Sequence, residues 1–290
     1  MKISFNESTA KGCSTLAQDL EICNDVGFDF IEIRLDMLKD YLRTHTEREL
    51  KQFFADHRIQ PHAINALYTY KELFSGDDTA DRREALMEDF LFGCKIAQQI
   101  GSHAFIVVPP MSVEAHIPYT DTPEHIKSDC VRIMRKLSDI SADYGVNLCF
   151  ELVGTQKCSV RTVPFAVEIV NEIDRANVGY AFDPCNIFGY HKLNDFSQMA
   201  LADVKKVFAV HINDYDDVPE SELAPPARCF CGKGVIDLDN YLDVLKRMGY
   251  QGMVSIETFR PEHYARRPED VIAEAYATTK ETLEKAGCLE

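Results

Sequence analysis

The segment Asn147-Leu148-Cys149-Phe150-Glu151 decides the fold, because it is an apolar run of strand length that ends on a carboxylate. Seven other apolar runs of similar length recur along the chain, and longer stretches with helical periodicity, such as Arg82–Ile100 and Ile126–Tyr144, lie between them. In chain order, the eight predicted strands are Lys2–Asn6, Phe30–Arg34, Gln60–Leu67, Ala104–Val108, Asn147–Leu152, Val178–Asp183, Val207–Asp214 and Gly252–Thr258.

This alternation of strands and helices implies parallel β-α-β units, and eight such units favour a closed barrel over an open sheet. Helix-stopping glycines come before four of the strands, at Gly27, Gly101, Gly145 and Gly249. The main competitor, a doubly wound sheet, usually has a glycine-rich phosphate turn after its first strand, and the segment at 7–12 is not one. We therefore predict an α/β protein with a (β/α)₈ TIM-barrel fold and residues 1–290 in a single domain.

The composition limits the classes of function. Apolar residues make up 46% of the chain and charged residues 27%, which allows a large core and argues against disorder. The formal net charge of −16 disfavours a nucleic-acid partner, because an acidic surface repels phosphates. The sequence has no apolar run of bilayer length and no signal-peptide pattern at its start, so we expect a cytoplasmic protein without a membrane partner.

The ten cysteines are scattered, and no CxxC pair occurs among them. Cys229 and Cys231 form a lone CxC, which two reduced thiols explain better than a soft metal pair does.

A charged or ionisable residue follows the apolar part of each of the last four strands: Glu151, Asp183, His211 and Glu257. Burying such a group is costly unless it is paired or bound to a metal, and one strand end meeting solvent would explain any single case equally well. Four in succession, at the barrel end where active sites form, favour a metal site. Three carboxylates and one imidazole suit one divalent ion, Mn²⁺, Co²⁺, Mg²⁺ or Zn²⁺.

A metal on two vicinal oxygens of a hydroxyketone acidifies the adjacent C–H bond and stabilises the resulting enediolate. Carboxylates on both sides can then remove and return the proton. Glu151 and Glu257 are the candidates for these two bases, since their strands flank those of the other two ligands.

Other polar residues lie on the second and third predicted strands. Glu32 and Arg34 share one side of their strand, where they form a salt bridge in the barrel mouth or bind substrate; the salt bridge is slightly favoured. His62 and Asn65 are an odd number of residues apart, so they lie on opposite faces of a regular strand. At most one of them therefore points inward, unless the strand ends between them. Asn65, nearer the strand end, is the better substrate contact.

The least regular segment, Asp214–Lys233, follows the seventh strand and occupies a usual place for a lid. Arg228 in this segment is a candidate to hold a substrate oxygen, although a lone loop arginine is more often solvated. Asp214 is a candidate to orient a metal ligand.

At these residues the chain resembles the xylose-isomerase-like sugar isomerase/epimerase superfamily, and within it the inosose isomerases of bacterial inositol catabolism. The resemblance runs nearly end to end. Its motifs are Phe5–Glu7, Phe30–Arg34, Ile64–Leu67, Glu151–Gly154, His211–Asp214, Gly232–Asp239 and Glu257–Glu262.

The resemblance implies the barrel fold, metal ligation by Glu151, Asp183, His211 and Glu257, and an acid/base pair formed by the first and last of these. It also places Arg228 at a substrate-binding position. The implied reaction moves or inverts a centre next to a ketone on a small polyol or ketose, with keto-inositols as the nearest substrates. Members of the superfamily are often dimers or tetramers, which implies a homodimer or homotetramer.

The chain departs from the family pattern three residues after Asp183, where relatives often carry a histidine and this chain has Asn186. Asn186 can bind a substrate hydroxyl but cannot carry a proton at neutral pH. The departure leaves metal binding intact and puts the substrate and the proton route in question.

Three alternatives stay open beside an isomerase or epimerase. A dehydratase or lyase on a keto-sugar would use the same enediolate, and the sequence does not separate it from an isomerase. A DNA-repair endonuclease shares this barrel, but needs more histidine and acid ligands and a less acidic chain. A non-catalytic sugar-binding descendant is disfavoured, because all four ligands are present.

Overall fold

The structure, a computed structural model, describes residues 1–70, 80–114, 117–219 and 224–289. Within them, eight parallel strands close a barrel in the order β1-β10-β7-β6-β5-β4-β3-β2, and β1 pairs with both β2 and β10. The barrel strands are β1 (Lys2–Asn6), β2 (Phe30–Arg34), β3 (Gln60–Tyr70), β4 (Ala104–Met111), β5 (Asn147–Glu151), β6 (Val178–Phe182), β7 (Val207–Ile212) and β10 (Met253–Ile256). The predicted TIM barrel, a single domain, is confirmed.

Helices surround the barrel and bury an apolar layer against the outer face of the strands. They are α1 (Leu16–Val26), α2 (Leu35–Tyr41), α3 (Glu47–Asp56), α4 (Ala80–Ile100), α5 (Pro123–Ala142), α6 (Val163–Ile173), α7 (Pro184–His191), α8 (Leu238–Met248), α9 (Pro261–Tyr264) and α10 (Pro268–Lys285). Among the described residues, no helix has the length and apolar character needed to cross a membrane.

Local sequence signals set the helix ends. Helix α1 begins at a capping box between Thr15 and Gln18 and ends at Gly27, which has a φ of 116°. Gly101, Gly145 and Gly249 also have positive φ values. The four predicted helix-stopping glycines therefore do stop helices.

The seventh predicted strand is shorter than expected, and the irregular segment after it is partly ordered as a hairpin. Strand β7 ends at Ile212, and β8 (Asp214–Tyr215) pairs antiparallel with β9 (Arg228–Cys229). This hairpin folds the segment back over the barrel mouth and returns Arg228 to the strand ends. The part of the predicted lid at 220–223 lies outside the described residues.

Small side chains fill the barrel interior below the mouth. Ala63, Ala104, Cys149, Ala181 and Ala209 belong to one buried cluster. Since alternate residues of a strand face the same side, the residues two positions further along β5 and β7, and the residue that directly follows β6, also point inward. The barrel therefore leaves room at its carboxyl end for larger polar side chains.

Candidate metal centre

The four predicted ligands meet at the carboxyl end of the barrel. Each lies two residues after a small buried residue, in the pairs Cys149 and Glu151, Ala181 and Asp183, Ala209 and His211, and Ser255 and Glu257. One ligand atom from each of the four lies within 4.8 Å of those of the other three, and all four residues are buried. Among the residues that the structure describes, this is the one such convergence of His, Cys, Asp or Glu side chains.

The geometry centres on Nδ1 of His211. This atom lies 3.1 Å from Glu151 Oε1, 3.5 Å from Glu257 Oε2 and 3.6 Å from Asp183 Oδ2. Three carboxylates thus lie within 3.6 Å of one imidazole nitrogen. A neutral histidine can ligate a cation through Nδ1 only if its proton is on Nε2.

Glu32 supplies the partner that places the proton there. His211 Nε2 lies 3.1 and 3.2 Å from the two carboxylate oxygens of Glu32, which is fully buried. Asn65 Nδ2 donates to the same carboxylate at 2.7 Å. Glu32 therefore sits behind His211 and outside the substrate cavity, where it orients the imidazole as carboxylates commonly do for metal-ligating histidines.

Arg228 is buried among the ligands, and the expectation that a loop arginine is solvated is wrong here. Its Nη1 donates to Asp183 Oδ2 at 3.0 Å and to Glu257 Oε2 at 2.6 Å. The guanidinium also lies over the ring of Phe259, 5.3 Å from its centroid. The hairpin of β8 and β9 buries this cation where it offsets part of the carboxylate charge.

Asn186 connects the ligands to Arg228. Its Nδ2 donates to Glu151 Oε1 at 3.1 Å, and its Oδ1 accepts from Arg228 Nη2 at 3.1 Å. Its backbone N–H donates to Asp183 Oδ1 at 2.8 Å, because Asp183 is the N-cap of α7. One short helix thus ties together two of the four ligands.

Two asparagines that the sequence reasoning missed also orient the ligands. Asn213 Nδ2 donates to Asp183 Oδ2 at 2.8 Å and to the backbone oxygen of Glu257 at 3.0 Å. Asn6 Nδ2 donates to Glu257 Oε1 at 2.9 Å. Both occur at or just after the end of a barrel strand, which is the signal that could have identified them.

The site has a surplus of negative charge. Burial raises the pKa of Glu151 to about 7, and Glu257 and Asp183 add to the rise while His211 opposes it. Burial alone would lower the pKa of His211, but Glu32, Glu257 and Glu151 raise it well above its ordinary value. A buried group of three carboxylates and a correctly oriented imidazole fits one divalent metal ion.

The other residues predicted on β2 and β3 have different partners from those expected. Arg34 forms a bidentate pair with Asp36, at 2.9 and 2.8 Å, so the favoured salt bridge with Glu32 is wrong. His62 and Asn65 both point inward, with His62 Nδ1 at 4.0 Å from Glu32. The pairing of β2 with β3 contains a register shift that inserts an extra residue, which reverses the parity between these two positions.

The loop residues are structural. Asp214 accepts from the backbone N–H groups of Gly234 and Ile236, both at 2.9 Å, so it holds the following loop and does not orient a ligand. Cys229 and Cys231 are free, buried thiols.

A cavity of about 180 Å³ opens beside the ligands. Asn65, Glu151, Asn186, Arg228 and Glu257 line it. The two remaining predicted substrate contacts, Glu32 and Arg34, do not belong to this lining.

The sequence and the fold of this chain are similar to those of several known proteins. The family described as "Xylose isomerase-like TIM barrel" matches residues 20–282. An inosose isomerase of Bacillus velezensis is 38% identical, over 98% of this chain and 98% of that protein. The solved structure of IOLI protein with a bound zinc atom is 35% identical, with a TM-score of 0.89 and 99% of both chains covered. A 3-dehydroshikimate dehydratase of Pseudomonas aeruginosa matches more weakly, at 26% identity over 87% of this chain and 37% of that protein.

Proposed function

The chain belongs to the xylose isomerase-like TIM barrel family, and on that premise we propose that it is a metal-dependent inosose isomerase. The observation that carries the proposal is the convergence of Glu151, Asp183 and Glu257 on Nδ1 of His211, in a chain 38% identical to an inosose isomerase over nearly its full length. The substrate class is a small cyclic keto-polyol.

Glu151, Asp183, His211 and Glu257 would hold the ion. When bound, the divalent ion supplies positive charge that stabilises the negative charge on two adjacent substrate oxygens. Asp183 and His211 would serve only to hold it, because neither belongs to the lining of the cavity. Glu151 and Glu257 both line the cavity, so each also reaches a substrate carbon.

The proton transfer follows from the placement of these two carboxylates. Strands β6 and β7 separate β5 from β10 in the barrel, so Glu151 and Glu257 approach the cavity from different sides. One removes the proton from the hydroxyl-bearing carbon, and an enediolate forms. Return of a proton to the former carbonyl carbon, with the hydroxyl proton passing to the former carbonyl oxygen, exchanges the ketone and hydroxyl positions.

Asn186 keeps a positioning role in this scheme. Its amide donates to Glu151 and accepts from Arg228, so both ends of the side chain are used within the cluster. An amide does not titrate at neutral pH, and the two glutamates therefore carry the proton without it.

The test is solvent deuterium exchange at the carbon next to the ketone of an inosose, in the metal-loaded enzyme. We expect Glu151→Gln and Glu257→Gln to lower this exchange by at least a hundredfold, since a positioned base contributes roughly 10²–10⁴ to the rate. Metal content is measured for each variant, so that loss of the ion is distinguished from loss of the base. Exchange at the wild-type rate in both metal-loaded variants would remove the two-base mechanism, and an unsaturated product would point to a dehydratase instead.

We also infer that the protein acts in the cytoplasm as a homodimer or homotetramer. The support is the resemblance to its superfamily. Sedimentation velocity of the purified protein measures the oligomeric state, and a monomer at micromolar concentration would contradict the inferred homodimer or homotetramer.

A further inference from the structure

Two groups of polar side chains line the cavity. Asn65, Glu151, Asn186, Arg228 and Glu257 are hydrogen-bonded within the metal cluster. The second consists of Tyr68, Thr155 and Lys157, which we call the second lining group. Within the described residues, no hydrogen bond or ion pair occupies the side chains of this second group.

A buried polar atom without a hydrogen-bond partner is costly, so a ligand that reaches such an atom gains by satisfying it. The Thr155 hydroxyl is buried and has no partner. Tyr215 also lines the cavity, but its hydroxyl donates to the backbone oxygen of Ala224 at 2.7 Å. The buried Tyr241 likewise donates, to the backbone oxygens of Phe182 and His211. Unlike the hydroxyls of Tyr215 and Tyr241, the hydroxyl of Tyr68 has no hydrogen-bond partner among the described residues.

Hydrogen bonds fix the backbone that carries Lys157. Ser112 N–H donates to the Lys157 carbonyl at 2.9 Å, and Ser159 N–H donates to the Pro110 carbonyl at 3.0 Å. Cys158 N–H donates to the Thr155 carbonyl at 3.1 Å and closes a turn. The segment after β5 is thus attached to the end of β4, and Lys157 reaches the cavity from a fixed backbone. A fixed backbone lowers the entropy cost of binding a ligand.

The chemistry of the second lining group suits oxygen acceptors. Lysine offers three N–H donors, and tyrosine offers one O–H donor as long as it is protonated. Burial raises the pKa of Tyr68, so its hydroxyl keeps its proton at neutral pH. Arg228 is already paired with Asp183 and Glu257, which leaves Lys157 as the cation of the described lining that is free for substrate.

We propose that Tyr68 and Lys157 form a second substrate subsite, which binds hydroxyl oxygens on the carbons of a cyclic polyol that do not react. This inference rests on the proposed function and deepens it, because it adds a recognition element for the part of the ring that does not react. A ring with a hydroxyl on every non-ketone carbon offers acceptors to the metal cluster and to the second lining group at once. Shorter or less hydroxylated ketones would leave the second lining group unsatisfied and bind more weakly.

The test uses Lys157→Met and Tyr68→Phe in the zinc-loaded protein. Lys136→Met, on the exposed face of α5, and Tyr70→Phe, two residues along β3 and outside this cavity's lining, are the matched controls. The first readout is the Kd for myo-inositol, an unreactive polyol, measured by calorimetry. The second is KM and kcat for an inosose, with zinc content measured in every variant.

We expect Lys157→Met to raise both Kd and KM about tenfold and Tyr68→Phe to raise them about threefold, as for loss of a charged and a neutral hydrogen bond. KM should change more than kcat, and zinc content should stay at the wild-type level. The two controls should behave as the wild type does.

Several results would overturn the subsite. Unchanged Kd and KM in both variants would do so, as would a fall in kcat at constant Kd or a wild-type protein that binds no polyol. If the wild type binds myo-inositol through Lys157 and Tyr68 but does not isomerise inososes, the subsite stands and the proposed function fails.

Discussion

Replacing Asp19 with asparagine should stabilise the protein much more at pH 8 than at pH 5. Asp19 lies on α1 and is fully buried, beside the carboxyl of Glu7 and the hydroxyl of Ser14. Burial raises its pKa from 3.8 to about 7, beside the equally buried Glu7. Glu7 in turn accepts from the backbone N–H of Arg34 at 2.6 Å, and the charge of Arg34 offsets only part of the rise in its pKa that burial and the Asp19 carboxyl cause.

The sign follows from the two pKa values. In the unfolded chain Asp19 loses its proton near pH 4, whereas in the native state it keeps the proton until about pH 7. Stability therefore falls as the pH rises through this window and stays low above it. A shift of this size corresponds to about 4 kcal/mol in full, of which about 3 kcal/mol develops between pH 5 and pH 8. Asparagine has the same shape, donates to Glu7 as the protonated acid does, and does not titrate.

The assay is urea unfolding of metal-free wild-type and Asp19→Asn protein at pH 5, 6, 7 and 8. The gain in the free energy of unfolding should grow with pH and level off near pH 8, at an unchanged m-value. Asp25→Asn, an exposed change on the same helix, is the matched control and should give no pH-dependent gain. A difference between Asp19→Asn and the wild type that is constant from pH 5 to pH 8 would refute the reasoning.

The remaining predictions concern the site. Glu32→Gln should weaken zinc binding by about 10–100-fold, because the carboxylate that orients His211 is lost; competition with a zinc-binding dye measures this, and an unchanged affinity would contradict the role. Gly154→Ala should lower both the urea midpoint and activity, because its Cβ would lie 2.2 Å from the backbone oxygen of Asn186 and force α7 to move; a wild-type midpoint with full activity would show that the contact is relieved without cost. Chelation of the metal should abolish turnover, and adding back Zn²⁺, Mn²⁺ or Co²⁺ should restore it; full activity in a metal-free preparation would exclude metal dependence.

The sequence predicts the barrel and the ligand set well, because both depend on local patterns. An apolar strand that ends on a carboxylate places that carboxylate at the barrel mouth, whichever strand carries it. The same rule explains why Asn6 and Asn213 could have been identified. Strands β3 and β4 extend further than predicted, to Tyr70 and Met111. The residues at their ends are polar or include proline, so the apolar pattern that predicts a strand stops before the strand does.

Contacts across the barrel could not be predicted in the same way. Glu32 on β2 and His211 on β7 are 179 residues apart, and β1 and β10 lie between their strands. Their meeting depends on the barrel diameter and on the small residues below them, and not on any local spacing. The position of His62 depends on an extra residue in the pairing of β2 with β3, which no pattern in the third strand reveals.

The position after Asp183 shows how one side chain can separate metal binding from proton transfer. Asn186 lies between Arg228 and Glu151, where its Oδ1 must accept and its Nδ2 must donate. An amide does both at once in a single protonation state, whereas a neutral histidine could do so only in one tautomer. Arg228 also binds Asp183 and Glu257, so a single cation and a single amide link three of the four ligands. In the proposed mechanism, this arrangement holds Glu151 and Glu257 at fixed positions on the cavity wall, and the proton therefore moves between substrate and glutamate without a third group.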